Sequence, residues 1–258
     1  MLTDRIEVDT HVHSVLSGHA WSTLREDVRQ ARRAGLRAIC LTEHSSATPG
    51  ASPEWTPLSM QMLPEEDEGI RIYRGLEADV LDDTGRLCPR AAYLEGLDFC
   101  IASMHLVACG CTRDADACTE TWLRVLDNPL VNALGHIDRA AFPCALEPIV
   151  RRARERGVLI ELNNASMIPM RDAGRENAIR LAGLCRRYEV PVCVGSDAHY
   201  HTMVGDFSLL GPLLESLDFP AELIVNRTVA AFDRYLAEAN RRKKRSVDHA
   251  ETDRTRLY

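Results

Sequence analysis

Histidines and carboxylates that could bind metal ions recur along the chain at the ends of short apolar runs. They are His11, His13, His19, His44, Glu77, His105, His136, Asp197 and His199. His11 and His13 are two residues apart, and side chains with this spacing on a β-strand point in the same direction. Imidazole together with carboxylate suits zinc, manganese or iron, and nine such groups are too many for one ion. The pattern predicts a multinuclear hydrolytic metal site.

Seven short β-rich runs alternate with segments of helical periodicity, which predicts an α/β fold with a parallel sheet. The runs are 5–10, 37–43, 71–80, 98–104, 131–137, 158–164 and 190–197, and helical segments include 24–34, 148–156 and 177–188. Seven repeats in 258 residues fit a TIM-like barrel better than an open sheet. Six of the runs end at a candidate ligand, and the other ends in Glu161-Leu-Asn-Asn. Because the carboxyl ends of barrel strands converge on one face, we expect these dispersed residues to form one site.

The composition restricts the classes of function. A net charge of −7 and a pI of about 5.7 argue against a general nucleic-acid binder. The nine cysteines form no regular framework, and free thiols without a signal peptide predict a cytoplasmic protein. A minor alternative is that Cys109-Gly-Cys111 is redox-active or binds metal. No apolar stretch is long enough for a membrane span, so we expect no membrane partner.

The chain is expected to contain one barrel domain, residues 1–240, followed by a polar, basic tail, residues 241–258, that is frayed or disordered. Residues 45–68 form a long segment between the second and third strands, and such segments are often lids or substrate walls. Trp55 and Met62 in this segment are candidates for lining a pocket.

Taken in order, these motifs resemble the PHP (polymerase and histidinol phosphatase) superfamily, in particular its stand-alone bacterial phosphatases of the YcdX type. The motifs are His11-x-His13, the loop residue His19, Thr-Glu-His44, Glu77, His105, Gly-His136 and Ser-Asp197-x-His199. The resemblance covers residues 5–237 and implies a distorted (β/α)7 barrel with three divalent metal ions at the carboxyl ends of its strands. It implies one ion held by His11, His13, Glu77 and Asp197. It also implies a second ion held by Glu77, His105 and His136, and a third held by His19, His44 and His199.

The resemblance also implies how the site works. A hydroxide on the metals, held by Glu77, Asp197, His105 and His136, would attack the phosphorus of a small-molecule phosphate ester. Zinc is the first expectation for the metal, with manganese or iron as alternatives. Asp9 is predicted to orient a ligand imidazole. Separately, guanidinium groups match phosphate geometry, so Arg171 and Arg175 after Asn163-Asn164 are the predicted substrate contacts.

Other functions remain open at this point. The usual binuclear amidohydrolase bridges its metals with a carboxylated lysine, but Lys243 is the first lysine of this chain, so only a mononuclear or glutamate-bridged form remains. A phosphodiesterase or nuclease is a second alternative, although the acidic chain makes nucleic acid an improbable partner. A metal-binding protein without catalysis is a third. The predicted function is a metal-dependent phosphomonoesterase.

Overall fold

Seven parallel strands form the centre of the fold and follow each other around it in chain order. The computed structural model describes residues 6–168 and 174–255, with side chains in the last helix described as far as residue 244. Its strands are β1 (Val8–Val12), β2 (Ala38–His44), β3 (Glu66–Asp67), β4 (Ile70–Val80), β5 (Leu87–Cys88), β6 (Phe99–Ser103), β7 (Ala133–Leu134), β8 (Leu159–Asn163) and β9 (Val192–Gly195). The parallel order is β1-β2-β4-β6-β7-β8-β9, which matches the seven predicted runs. The short strands β3 and β5 pair antiparallel with β4 and were not predicted, since two residues carry no periodicity.

The first and last strands of this sheet approach each other and nearly close it. Val12 forms an isolated parallel bridge with Ala198, just beyond the end of β9. The backbone N–H of His13 donates to the carbonyl of Ala198 at 2.9 Å, and that of Ala198 donates to the carbonyl of His11 at 3.3 Å. The predicted barrel is therefore confirmed as a distorted, nearly closed one.

Helices α1 to α6 lie between successive strands, as the alternating pattern predicted, and α7 and α8 follow the last strand. They are α1 (Leu24–Arg33), α2 (Thr56–Ser59), α3 (Ala91–Leu94), α4 (Ala115–Val125), α5 (Leu146–Arg156), α6 (Gly174–Arg187), α7 (Leu210–Ser216) and α8 (Val229–Thr255). α1 begins with a capping box, in which Thr23 and Glu26 each accept a hydrogen bond from the other's backbone N–H. α5 ends at Gly157, whose φ of 64° is unfavourable for other residues. Among the described helices, none combines the length and apolarity that crossing a bilayer requires.

α8 covers the end of the barrel where the strands begin. Phe232 lies edge-to-face against Tyr73 and Phe99, with ring centroids 5.0 and 5.3 Å apart. Together with Leu236, it packs into a buried cluster that contains the first residue of β1 and of several other strands. Burying such aromatic side chains contributes on the order of 2 kcal/mol each. The buried side chains of α8 thus close the amino-terminal end of the barrel, opposite the face on which the predicted ligands lie.

The last helix extends past residue 240, where we expected a frayed or disordered tail to begin. α8 is continuous to Thr255, and Arg242 donates a hydrogen bond to the carbonyl of Gly157 at 2.7 Å. Lys243 is buried, and this burial lowers its pKa. The first part of residues 241–258 thus packs on the barrel, because Lys243 buries its aliphatic stem and Arg242 binds a carbonyl just after α5.

The cysteines are free thiols with one exception. Cys109 and Cys111 form a disulfide, whereas seven other cysteines are free. Our interpretation of the cysteines as thiols is therefore wrong for this pair. Five of the free thiols are buried, among them Cys185 and Cys193, and burial raises the pKa of each of these two. They act as small apolar core residues, as expected.

Asp27 is a buried carboxylate in α1 that has no hydrogen-bond partner among the described residues. Burial raises its pKa to about 8, and the charge of Glu43 adds to this effect. In the unfolded chain the pKa of Asp27 is near 3.8. The free energy of unfolding therefore falls as the pH rises from 3.8 through about 8. We expect Asp27→Asn to raise the free energy of unfolding, and by about 2 kcal/mol more at about pH 8 than at about pH 5.

Urea denaturation of both proteins at the two pH values measures this difference. Asp116→Asn is the matched control, because Asp116 is an exposed carboxylate in the first turn of α4. A gain for Asp27→Asn that is independent of pH would contradict the assignment.

Candidate metal centre

The nine predicted ligands lie together at the carboxyl ends of the parallel strands. His11, His44 and Glu77 are within β1, β2 and β4, and the others follow a strand end or the 3-10 helix Val15–Ser17. Neighbouring imidazoles are in contact: the ring centroids of His13 and His44 are 4.3 Å apart, and those of His19 and His199 are 4.7 Å apart. The barrel thus brings together side chains that are up to 188 positions apart in the sequence. We call these nine residues the cluster.

Glu77 lies at the centre of the cluster and is completely buried. The distances from its carboxylate oxygens to imidazole nitrogens are 2.8 Å (His44 Nδ1), 2.9 Å (His136 Nε2), 3.3 Å (His105 Nε2), 3.4 Å (His11 Nε2) and 3.5 Å (His13 Nε2). Burial alone would raise the pKa of Glu77, but the charges of His105, His11 and His44 hold it well below its ordinary value. A carboxylate shared by five imidazoles is suited to bridging metal ions.

The cluster contains buried polar atoms that fit metal ions. Within the described part of the chain, Nε2 of His11, His13 and His44 and Oε2 of Glu77 are buried without a hydrogen bond. Leaving such atoms unpaired is costly, and a metal ion satisfies them. Three sets of residues place their ligand atoms within 4.8 Å of one another: His11, His13 and Asp197; His44, Glu77 and His105; and His13, His44 and His199. The donor set of imidazole and carboxylate fits divalent zinc, manganese or iron.

These three sets resemble the expected division among ions but are not identical to it. His11, His13 and Asp197 come together as the resemblance implies for the first ion. His44 belongs to both of the other sets, the one with Glu77 and His105 and the one with His13 and His199. His136 and His19 also adjoin these groups, since His19 Nε2 is 2.9 Å from His199 Nε2. The assignment of each ligand to one ion therefore stays a prediction.

Several imidazoles are oriented by acceptors on the side away from the cluster. His11 Nδ1 lies 2.6 Å from Glu161 Oε1, and His105 Nδ1 lies 2.7 Å from Asp79 Oδ1. His13 Nδ1 is 3.0 Å from the hydroxyl oxygen of Ser17, which in turn donates to a carboxylate oxygen of Glu43. Such partners fix the ring orientation and leave Nε2 directed at the metal side. Glu161 and Glu43 were not predicted in this role, although Glu43 directly precedes the candidate ligand His44 in the sequence.

Asp9, which we predicted to orient an imidazole, has backbone partners in the structure. Its carboxylate accepts hydrogen bonds from the N–H groups of His11 (3.2 Å), Ser196 (3.0 Å) and Gly205 (2.9 Å). Burial nevertheless raises its pKa, and these hydrogen bonds oppose the rise. Asp9 thus connects β1 to the segment after β9 and stabilises the backbone that carries His11 and Asp197.

The protonation states of the imidazoles differ with their neighbours. Burial disfavours the charged form of His105, but Glu77 and Asp79 outweigh burial and raise its pKa to about 10. The pKa of His136 is lowered to about 4 by burial and by the charge of Arg139. A metal ligand must present a free nitrogen lone pair, so His105 would have to release a proton in order to hold an ion.

A cleft of about 560 Å³ opens over the cluster. His44, His105 and Asp197 lie on its floor, and Arg139 lines one side. The guanidinium of Arg139 donates to Asp197 Oδ2 at 2.9 Å. Arg139 was not predicted, because its only signal in the sequence is that it follows His136 by three positions. It places a positive charge beside the cluster.

The predicted phosphate contacts lie elsewhere or outside the described structure. Arg171 lies outside the described residues, and Arg175 is exposed in the first turn of α6, apart from the residues that line the cleft. Of the segment 45–68, the residues that line the cleft are Thr48 and Pro49. Trp55 and Met62, the two candidates we expected there, are 56% and 86% exposed and do not line it.

We expect Glu161→Gln to weaken metal binding by about 10- to 100-fold, because the amide cannot stabilise the orientation and basicity of His11 as a carboxylate does. Competition with a chromogenic chelator measures the affinity. The control is Glu155→Gln, because Glu155 is an exposed glutamate of α5 whose charge should not affect metal affinity. Equal affinities of the two variants would show that Glu161 does not act through His11.

The chain is similar in sequence and fold to known proteins. A family model described as the PHP domain matches residues 9–165. A protein named probable phosphatase from Acetivibrio thermocellus is 37% identical over 238 residues, which cover 92% of this chain and 98% of that protein. A probable phosphatase from Caldanaerobacter subterraneus subsp. tengcongensis is 35% identical, covering 92% of this chain and 94% of its own.

Among solved structures, the chain is similar in fold to a histidinol phosphate phosphatase from Lactococcus lactis, solved in complex with zinc, L-histidinol and phosphate. The TM-score is 0.56 at 22% sequence identity, and the match covers 83% of this chain and 94% of the other. At this identity, the likeness supports the barrel architecture alone.

Proposed function

Because the chain belongs to the PHP domain family, we propose that it is a metal-dependent phosphomonoesterase that hydrolyses a small-molecule phosphate ester in the cleft. The observation that carries the proposal is the position of Glu77 among five imidazoles, of which those of His44 and His105 line the cleft, with three Nε2 atoms buried without a hydrogen bond in the described structure. The relatives named probable phosphatases support the same activity. We place this activity in the cytoplasm, in keeping with the seven free cysteines.

The proposal includes three divalent ions, with zinc as the first expectation. Three sets of ligand atoms support this number, and the zinc in the complex from Lactococcus lactis supports the metal. Bound there, such ions would polarise the phosphoryl group and lower the pKa of water, so that a nucleophile is available near neutral pH. The proposed ligands are the nine residues of the cluster, with Glu77 shared between ions.

The chain's own residues would hold the ions and position the substrate. Asp197 and Glu77 are both held ionised by neighbouring imidazoles, so each can hold an ion without first losing a proton. The guanidinium of Arg139 has further donors besides the one that binds Asp197, and these can bind the phosphoryl oxygens in the cleft. Arg171 and Arg175 remain the alternative proposed phosphate contacts.

Removal and restoration of the metal tests the proposed function. We expect the protein to lose activity towards p-nitrophenyl phosphate after treatment with a chelator and to recover it with zinc or manganese. The monoester should be turned over faster than bis(p-nitrophenyl) phosphate, and elemental analysis should find more than one ion per chain. A single bound ion after metal loading, or a preference for the diester, would be evidence against the proposal.

A further inference from the structure

Several residues that line the cleft are apolar. Leu106 and Val107, directly after His105, line the cleft while 60% and 62% of their surfaces are exposed. Pro49, Met104 and Phe142 also line the cleft. We call these five residues the apolar wall. Exposed apolar side chains that border a polar site mark a surface that a ligand covers.

The apolar wall is held in a defined position relative to the cluster. The N–H of Cys109 donates to the carbonyl of His105 at 2.8 Å, and the N–H of Gly110 donates to the carbonyl of Leu81 at 2.8 Å. Cys109 is also joined to Cys111, which is packed in the hydrophobic core. The turn that carries Leu106 and Val107 is therefore anchored on both sides and presents a preformed surface.

The polar groups of the cleft offer little to a charged or polyhydroxylated substrate. Among the described residues that line the cleft, Asp197 is the only carboxylate, and it is bound by Arg139. The hydroxyls of Thr48 and Ser166 donate to Asp79 and Asp138, respectively, so their protons are not available to a substrate. Among the described residues that line the cleft, an ammonium group would find no carboxylate besides Asp197, and sugar hydroxyls would find no free hydroxyl proton to replace the hydrogen bonds that they donate and accept in water.

We infer that the substrate is a phosphomonoester of an uncharged alcohol with an apolar ring, which packs against the apolar wall while the phosphate lies over the cluster. This inference rests on the proposed function and adds the substrate class. The volume of about 560 Å³ is in the range of small-molecule sites and admits a ring besides the phosphate. In the reaction, the oxygen of water bonds to phosphorus as the ester P–O bond breaks, and a proton from that water ends on the released alcohol.

Three esters of primary alcohols test the inference with little difference in intrinsic reactivity: 2-phenylethyl phosphate, glycerol 1-phosphate and L-histidinol phosphate. We expect kcat/KM of the metal-loaded enzyme to be at least about tenfold higher for the phenylethyl ester, which is the order of discrimination that apolar contacts provide. Equal or higher values for the polyol or amino ester would overturn the inference. The proposed function would stand in that case, whereas it would fail if none of the three esters is hydrolysed.

A charge placed on the apolar wall provides the second measurement. We expect Val107→Asp to lower kcat/KM for the phenylethyl ester and to raise the ratio of histidinol phosphate to phenylethyl phosphate by about tenfold or more. Val107→Asn has the same size without the charge. It should lower kcat/KM for the phenylethyl ester without raising kcat/KM for histidinol phosphate. Leu58→Asp is the matched control, because Leu58 is 55% exposed but does not line the cleft. If all three variants keep the wild-type ratio, the wall does not contact the leaving group and the inference is wrong.

Discussion

Glu77→Gln is expected to lower kcat/KM by at least about a thousandfold, which corresponds to roughly 4 kcal/mol of transition-state stabilisation. The substitution removes the one negative charge that lies within 3.5 Å of five imidazoles, at a position with no access to solvent. Glutamine has the same shape but cannot bridge two cations, and its amide would direct N–H groups at metal ions. We therefore expect both a lower metal content and lower activity, measured by elemental analysis and by turnover of an aryl phosphate.

The matched control for Glu77→Gln is Asp79→Asn, two residues further along β4. Asp79 contacts His105 on the side away from the cluster, so its loss should reduce metal affinity about 10- to 100-fold without abolishing activity at saturating metal. Circular dichroism checks that both variants fold. A Glu77→Gln protein that retains its full metal content and wild-type kcat/KM would refute the bridging role.

The sequence predicts the fold and the location of the cluster because both depend on short-range patterns. A strand such as β2 is recognised from its apolar residues, and His44 is recognised as its last residue. The barrel then places every strand end on one face, so that His13 and His199 meet without any further information. For this reason, the seven strands and the cluster follow from the positions of polar residues at strand ends.

Other parts of the site depend on details that these patterns do not contain. Asp9 and Glu161 are both buried strand carboxylates, and the pairing of β8 with β9 decides that Glu161 faces His11. Arg139 enters the cleft through the turn after β7, where His136 has an unusual positive φ of 30°. The two residues of β7 give too little regular structure to predict such a turn. A loop that folds back on itself brings Cys109 and Cys111 together. Their spacing in the sequence was only a weak indication of this pair.

Arg139→Met is expected to lower kcat/KM by about a hundredfold, in the range of 2–3 kcal/mol for losing a charged hydrogen bond to phosphate. Arg139 is the only arginine among the described residues that line the cleft, and Asp197 fixes its guanidinium at 2.9 Å. Methionine retains most of the side-chain volume but has neither charge nor donors. Arg139→Lys should retain the charge but lose bidentate geometry, so we expect an intermediate loss.

The control Arg175→Met separates the two predicted positions of the phosphate contact. Since Arg175 is exposed on α6, its replacement should change kcat/KM less than about twofold if Arg139 makes the contact. Arg139 also helps to keep the pKa of Asp197 low, so metal content is measured in parallel to separate a loss of ions from a loss of substrate binding. With metal content equal, inorganic phosphate should inhibit Arg139→Met more weakly than wild type. Unchanged inhibition by phosphate, together with a large loss for Arg175→Met, would move the phosphate contact from the turn after β7 to α6.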